Sequence, residues 1–288
     1  ELYRQSAARL EEVMLKGTGT IEIKSGYGLN VDSELKMLRV IRRLKEEYPV
    51  IIKSTLLGAH GVPAEYKGRQ DEYVDLVCKE MIPLAAKENL ADFIDVFCDK
   101  GFFTVEDTDK ILNAAAKYGM RPKIHANELD NSGGVQIGIQ HHALSVDHLE
   151  RAGLEEIAAL KASETMPTAL PGASFFLNMP YALTRQMVDE GLSVALASDY
   201  NPGSSPSGDM RFVVSLACIN MHLLPEEAIN AATINGAYAM DAHKESGSIA
   251  VGKWANLILT KPVSSIAFIP YAHQTPYIEQ VFVKGKAI

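Results

Sequence analysis

Three short apolar runs in this chain end abruptly in a His or an Asp: Lys123-Ile124-His125-Ala126-Asn127-Glu128, Val146-Asp147-His148-Leu149-Glu150 and Ala197-Ser198-Asp199-Tyr200-Asn201. A run of this length reads as a buried strand, and the polar residue marks where the strand leaves the core. Helix-like segments separate the three, which predicts parallel strands whose carboxyl ends converge. Parallel α/β sheets and barrels place their chemistry at that end. His and Asp are the ligands that divalent metals favour in hydrolytic sites. The pattern points to a metal-dependent hydrolase on a β/α barrel.

The rest of the chain reads as the same alternation. Residues 1–16 form an amphipathic helix with Leu2, Leu10, Val13 and Met14 on its apolar side. Strands are expected over 20–26, 50–59, 91–98, 121–127, 143–149, 164–170 and 192–198. The helix ending near Tyr48, before Pro49, takes Asp32 or Ser33 as its cap. A helix over 71–89 is expected to bend at Pro83. Thr104 and Asp107 have capping-box spacing at the start of a helix over 104–118. Further helices are expected over 134–139, 154–160 and 184–190. This is the spacing of a TIM-like (β/α)8 barrel over residues 1–245, one strand short. Because the chain opens on a helix, the first barrel strand is expected to precede Glu1. Residues 225–240 add a helix or two. Residues 247–259 and 278–286 then read as antiparallel strands, so 246–288 is expected to supply part of a small β-sandwich-like domain.

Composition narrows the class. Of 288 residues, 47% are hydrophobic and 22% charged, the balance of a soluble enzyme. A formal charge of −8 argues against a nucleic-acid binder, which needs a basic face. No apolar run is long enough to span a membrane. Cys78, Cys98 and Cys218 are too few and too scattered for a disulfide framework or a metal pair, which fits a reducing cytoplasm.

Each candidate has a competing reading. His125 is either a metal ligand or a core histidine satisfied by the backbone. Along Val194 to Tyr200, alternation puts Ala195, Ala197 and Asp199 on one face. A carboxylate ending that row would be costly without a cation or donors, the alternative being a helix cap. His148 is a donor beside the metal or a buried structural histidine, and Glu128 is a proton shuttle or a solvated loop residue. His60 and Tyr27 end two other strands and are candidate substrate contacts. His141, His142, His222, His243 and His273 read as structural or solvated. The Gly- and Ser-rich loop 201–208 offers N–H and hydroxyl donors suited to an anionic group, or forms an ordinary turn.

Taken together, the stretches 22–28, 57–60, 125–128, 147–148 and 198–204 resemble the imidazolonepropionase family of the amidohydrolase superfamily. The resemblance runs from about Thr20 to the C-terminus, and its most specific parts are Lys24 to Gly28 and Asp199 to Ser204. It implies hydrolysis of the cyclic amide of 4-imidazolone-5-propanoate to N-formimidoyl-L-glutamate, in histidine degradation, with one zinc or iron ion. It implies that His125 and Asp199 are metal ligands. Glu128 and His148 match the acid/base and carbonyl-polarising positions, with Glu128 or Asp199 taking the water proton. Tyr27, His60, Glu128, Asn201, Gly203 and Ser204 match substrate contacts, and Lys24 takes no metal role. A homodimer is implied as well. The family's two other metal ligands form a His-x-His pair, followed by a substrate-binding Arg, and this sequence contains no such pair. The pair is expected on the first strand, with the Arg shortly after it. The rival readings are another amidohydrolase, such as an aryl or nucleobase deaminase, and a non-catalytic ligand-binding barrel fragment.

Overall fold

Seven parallel strands follow one another in sequence order through a single sheet in the computed structural model, which describes residues 1–288. They are β1 (Thr20–Lys24), β2 (Ile51–Ala59), β3 (Phe93–Cys98), β4 (Arg121–Ala126), β5 (Ser145–His148), β6 (Met166–Ala169) and β7 (Ala195–Leu196). Helices connect them: α1 (Leu2–Leu15) precedes β1, α2 (Val31–Glu47) joins β1 to β2, and α3 (Gln70–Leu76) with α4 (Ile82–Lys87) joins β2 to β3. Then come α5 (Val105–Ala116), α6 (Gly134–Gln140), α7 (Leu154–Lys161), α8 (Pro171–Leu177) and α9 (Thr184–Asp189). This is the strand–helix order of a TIM-like barrel with seven strands, β1 and β7 forming its two edges.

The helices bury one stripe each. In α2, Leu35, Leu38, Ile41 and Leu44 recur every third residue, and Leu38 and Leu44 are wholly buried against the sheet. Its cap is Asn30, whose side chain accepts the Ser33 N–H; Asp32 lies in the first turn, where its charge suits the helix dipole. The capping box of Thr104 and Asp107 forms as expected. The helix expected over 71–89 deviates at a π-turn spanning Val77–Met81, just ahead of Pro83 in α4.

After β7 the chain adds α10 (Met210–Ile219), α11 (Pro225–Asn230), α12 (Gly236–Ala239) and the short α13 (Phe268–Tyr271). A separate antiparallel sheet has the order β10 (Lys286–Ala287), β9 (Ile278–Val283), β8 (Leu257–Thr260). The expected pairing of the two tail stretches is therefore present. Residues 247–256, expected as strand, are instead bends, a turn and irregular backbone, with Gly247 at φ +84° close against Ala237 and Gly252 at φ +92°. The tail is tied to the start of β1 by Thr20 with Ser246 at 2.9 Å and by the Asn256 amide donating to the Gly19 carbonyl at 3.1 Å.

Candidate active site

At or shortly beyond the ends of β4, β5 and β7, the chain turns left-handed at a residue other than glycine. Asn127 has φ 54°, His148 and Leu149 have φ 87° and 73°, and Asp199 has φ 50°. Such backbone is uncommon, and it turns the polar residues that follow the strands toward the mouth of the sheet.

The rings at that mouth form a continuous row. Tyr27 meets His60 edge-on at 5.2 Å between centroids, His60 lies 6.1 Å from His125, and His125 lies 5.1 Å from His148. His148 Nε2 is 3.5 Å from Glu128 Oε2, and its Nδ1 is 3.7 Å from Glu150 Oε2. The second distance is too long for a hydrogen bond, so Glu150 acts on His148 by charge. The Asp199 carboxylate is close enough to perturb Tyr27, His60, Glu128 and His148. The structure thus brings Tyr27, His60, His125, Glu128, His148 and Asp199 to one site.

The charge states follow from the surroundings. Burial opposes charge on His148, but Glu150, Glu128 and Asp199 outweigh it and push its pKa up to about 10. Glu128 is only 7% exposed, and burial raises its pKa, the Glu150 and Asp199 charges adding to the effect against His148 and His125. His60 is shifted down by burial and by His125, while its Nδ1–H donates to the Gly26 carbonyl at 2.8 Å. A neutral donor, a protonated donor and a carboxyl of raised pKa therefore sit side by side.

Beneath the rings lies a network that joins distant strands. Asp95, fully buried on β3, accepts from His125 Nδ1 at 3.1 Å and from the Lys24 ammonium at 2.6 Å. Lys24 also reaches Asp147 at 3.2 Å and Glu22 at 3.0 Å, and Lys123 meets Glu22 at 2.6 Å. Burial would raise the Asp95 carboxyl, but His125 and Lys24 hold it well below the usual carboxylate range. An ionised Asp95 can only accept, so His125 directs its Nδ1–H at Asp95, and Nε2 is the ring nitrogen left for another partner.

This arrangement suits a metal ligand, because a ligating imidazole commonly donates its other N–H to a carboxylate. Asp199 complements it: Ser204 Oγ donates to its Oδ2 at 3.0 Å, and no protein donor reaches Oδ1. Those two donors fit a divalent cation, although no three His, Cys, Asp or Glu side chains of the chain converge into a complete cage.

The loop after Asp199 is built differently from the simple donor array its composition suggests. Asn201 Oδ1 accepts the N–H groups of Gly203 and Ser204, both at 2.8 Å. The Asn201 amide donates to the Asp199 carbonyl at 2.6 Å. Asn201, Gly203 and Ser204 thus stand beside Asp199, with their donors engaged in an Asx turn within the loop. Sequence reasoning passed over Asp95, Asp99, Glu34 and Glu150. Of these, only Asp95 carried a signal, a carboxylate set in the apolar run of β3.

The family described as "Amidohydrolase family" matches residues 7–288. An imidazolonepropionase from Christiangramia forsetii is 56% identical over 288 residues, covering 100% of this chain and 70% of that protein. One from Flavobacterium johnsoniae is also 56% identical, with the same coverage. Among solved structures, an atrazine chlorohydrolase variant from Arthrobacter aurescens, complexed with zinc and atraton, superposes with a TM-score of 0.78 at 14% identity. The match covers 99% of this chain and 71% of that one. That last likeness shows the fold, and the identities above 50% show more. The chain belongs to the amidohydrolase family and, within it, to the imidazolonepropionases.

Proposed function

We propose that this protein hydrolyses the cyclic amide of 4-imidazolone-5-propanoate, with Glu128 moving the proton and His148 polarising the carbonyl. The observation that carries the reading is the Glu128–His148 pair, 3.5 Å apart and both buried, with pKa values pushed up for different reasons. A carboxyl with raised pKa can both take and return a proton near neutrality, and a histidine held protonated is a donor to an oxygen that gains charge.

In the reaction, a bond forms between the water oxygen and the ring carbonyl carbon, and the C–N bond of the ring breaks. Glu128 takes the proton from water and delivers it to the departing ring nitrogen. His148 donates to the carbonyl oxygen as negative charge builds there. Asp199 is the second carboxylate at the site that can assist the first proton transfer. Tyr27, His60, Asn201, Gly203 and Ser204 are assigned to the substrate.

His125, through Nε2, and Asp199 would hold one divalent ion, zinc or iron, which supplies Lewis acidity toward water and carbonyl when bound. The zinc in the Arthrobacter structure supports a metal without deciding which one. We further assign residues 1–245 to the barrel and 246–288 to strands of the small β-domain, and we expect a cytoplasmic homodimer acting in histidine degradation. No helix is long and apolar enough to cross a membrane. A panel of ring substrates tests the assignment. Preference for the imidazolone carrying a propanoate supports it, and preference for an aminated aryl or nucleobase ring contradicts it.

A further inference from the structure

The segment that carries Glu128 is held by a carboxylate that takes no part in the scheme above. Asp99 follows β3 directly and is 3% exposed. Its Oδ2 accepts the N–H groups of Glu128 and Leu129, both at 2.8 Å. Its Oδ1 accepts from the Asp130 N–H at 3.1 Å, the Ser132 hydroxyl at 2.7 Å and the Lys100 N–H at 2.7 Å. Three consecutive backbone N–H groups aimed at one carboxylate form an anion nest. Here the anion is part of the protein.

That nest exists because Asn127 turns left-handed at the end of β4, with φ 54°. No cation shares Asp99, since the Lys100 ammonium pairs with Asp130 at 2.9 Å. Its charge is met by neutral donors, four of the five coming from the loop that begins at Glu128. Other bonds near the turn hold Asn127 itself: the Arg151 N–H donates to its carbonyl at 2.7 Å, and its amide donates to Asn131 at 2.9 Å. The N–H of Glu128 has Asp99 as its partner.

We propose that Asp99 is the positioning residue for Glu128. It holds that backbone so that the Glu128 carboxyl stays beside His148 through both proton transfers. The inference rests on Glu128 being the proton shuttle. With Asp99 neutralised, four loop donors lose an ionic acceptor and the strained turn relaxes. A displacement of about 1 Å at a reacting group costs on the order of 10²-fold in rate.

The test uses the full-length, metal-loaded enzyme with Asp99→Asn, Glu128→Gln and the double variant. Asp99→Asn is expected to lower kcat about 10²-fold and to leave KM and metal content near wild type, with a lower thermal midpoint because the buried donors lose their ionic acceptor. In the Glu128→Gln background, the same substitution should change the residual kcat by no more than about twofold, since effects through one shared group do not add. Unchanged kcat in Asp99→Asn, or an equal loss in both backgrounds, would overturn the proposal alone. Wild-type kcat in Glu128→Gln would overturn it together with the shuttle assignment. Should Asp99→Asn fail to fold, Ser132→Ala removes one donor and leaves the carboxylate in place. It should lower kcat severalfold at constant KM, and wild-type kinetics there would sink the idea.

Discussion

His125 donates its Nδ1–H to Asp95, the nitrogen lying 3.0 Å from Oδ2 and 3.1 Å from Oδ1. The consequence is a ring anchored through Nδ1, with Nε2 as the nitrogen left to bind a metal. Replacing Asp95 by Asn removes the charge while keeping the shape. Metal affinity should fall about 10–100-fold, as for other partners of ligating histidines. A competition titration against a chromophoric chelator checks this, and an unchanged dissociation constant would contradict the role given to Asp95.

Asp199 is assigned both to the metal and to the chemistry. Asp199→Ala in the full-length enzyme should therefore lose bound metal and turnover together, while secondary structure by circular dichroism stays the same. Metal content by mass spectrometry is the direct readout. Wild-type metal content and rate in that variant would remove Asp199 from the site.

The protonation of His148 makes stability depend on pH in the metal-free protein. Its pKa is pushed up to about 10 in the folded state, against about 6.5 for an unperturbed histidine. The folded state binds that proton more tightly, so the contribution is complete below about 6.5 and is lost as pH rises through about 10. Between those limits, urea denaturation should show a steeper loss of stability for the wild type than for His148→Gln. Parallel curves would mean that His148 is not held protonated by Glu150 and its neighbours.

A second buried carboxylate holds the loop after β1. Glu34 is fully buried and accepts from the N–H groups of Gly26, Gly28 and Leu29 at 2.8, 2.7 and 2.9 Å, on either side of Tyr27. Glu34→Ala leaves those donors without their acceptor and should destabilise the protein by about 1–3 kcal/mol for a donor that stays buried. Because Tyr27 is assigned to substrate, KM should rise more than kcat falls. Denaturation and steady-state kinetics together check both halves.

Packing gives a prediction independent of the site. Leu38 is wholly buried on α2, so Leu38→Ala should cost about 2–5 kcal/mol. The urea midpoint measures it, and a loss under about 1 kcal/mol would mean the helix repacks freely.

The elements that were legible in the sequence are those whose apolar pattern matches their burial. β3 and β4 read directly from their runs, and α2 from its cap candidates and the Pro49 that stops it. α10 escaped because Met210 to Ile219 is almost continuously apolar, a run whose pattern alone does not separate a buried helix from a strand. β7 shrinks to Ala195–Leu196, and beyond it only the Ala197 N–H still reaches β6, donating to the Ala169 carbonyl at 3.2 Å. Among site residues, His125, His148 and Asp199 were visible because a polar group closes an apolar run. Asp95 carried a signal, a carboxylate inside an apolar run, that the reading passed over, and its partner Lys24 lies 71 residues away, a relation that only folding reveals. Asp99 and Glu34 bind backbone N–H groups, which every residue but proline has, so no residue pattern marks them.

The most direct test of the central claim is turnover of 4-imidazolone-5-propanoate by the full-length, metal-loaded enzyme, followed as loss of the ring and appearance of N-formimidoyl-L-glutamate. The account predicts ring opening in the wild type and at least about a 10²-fold lower kcat in Glu128→Gln, with substrate binding retained. Binding without turnover in the wild type, or undiminished turnover in Glu128→Gln, would contradict it.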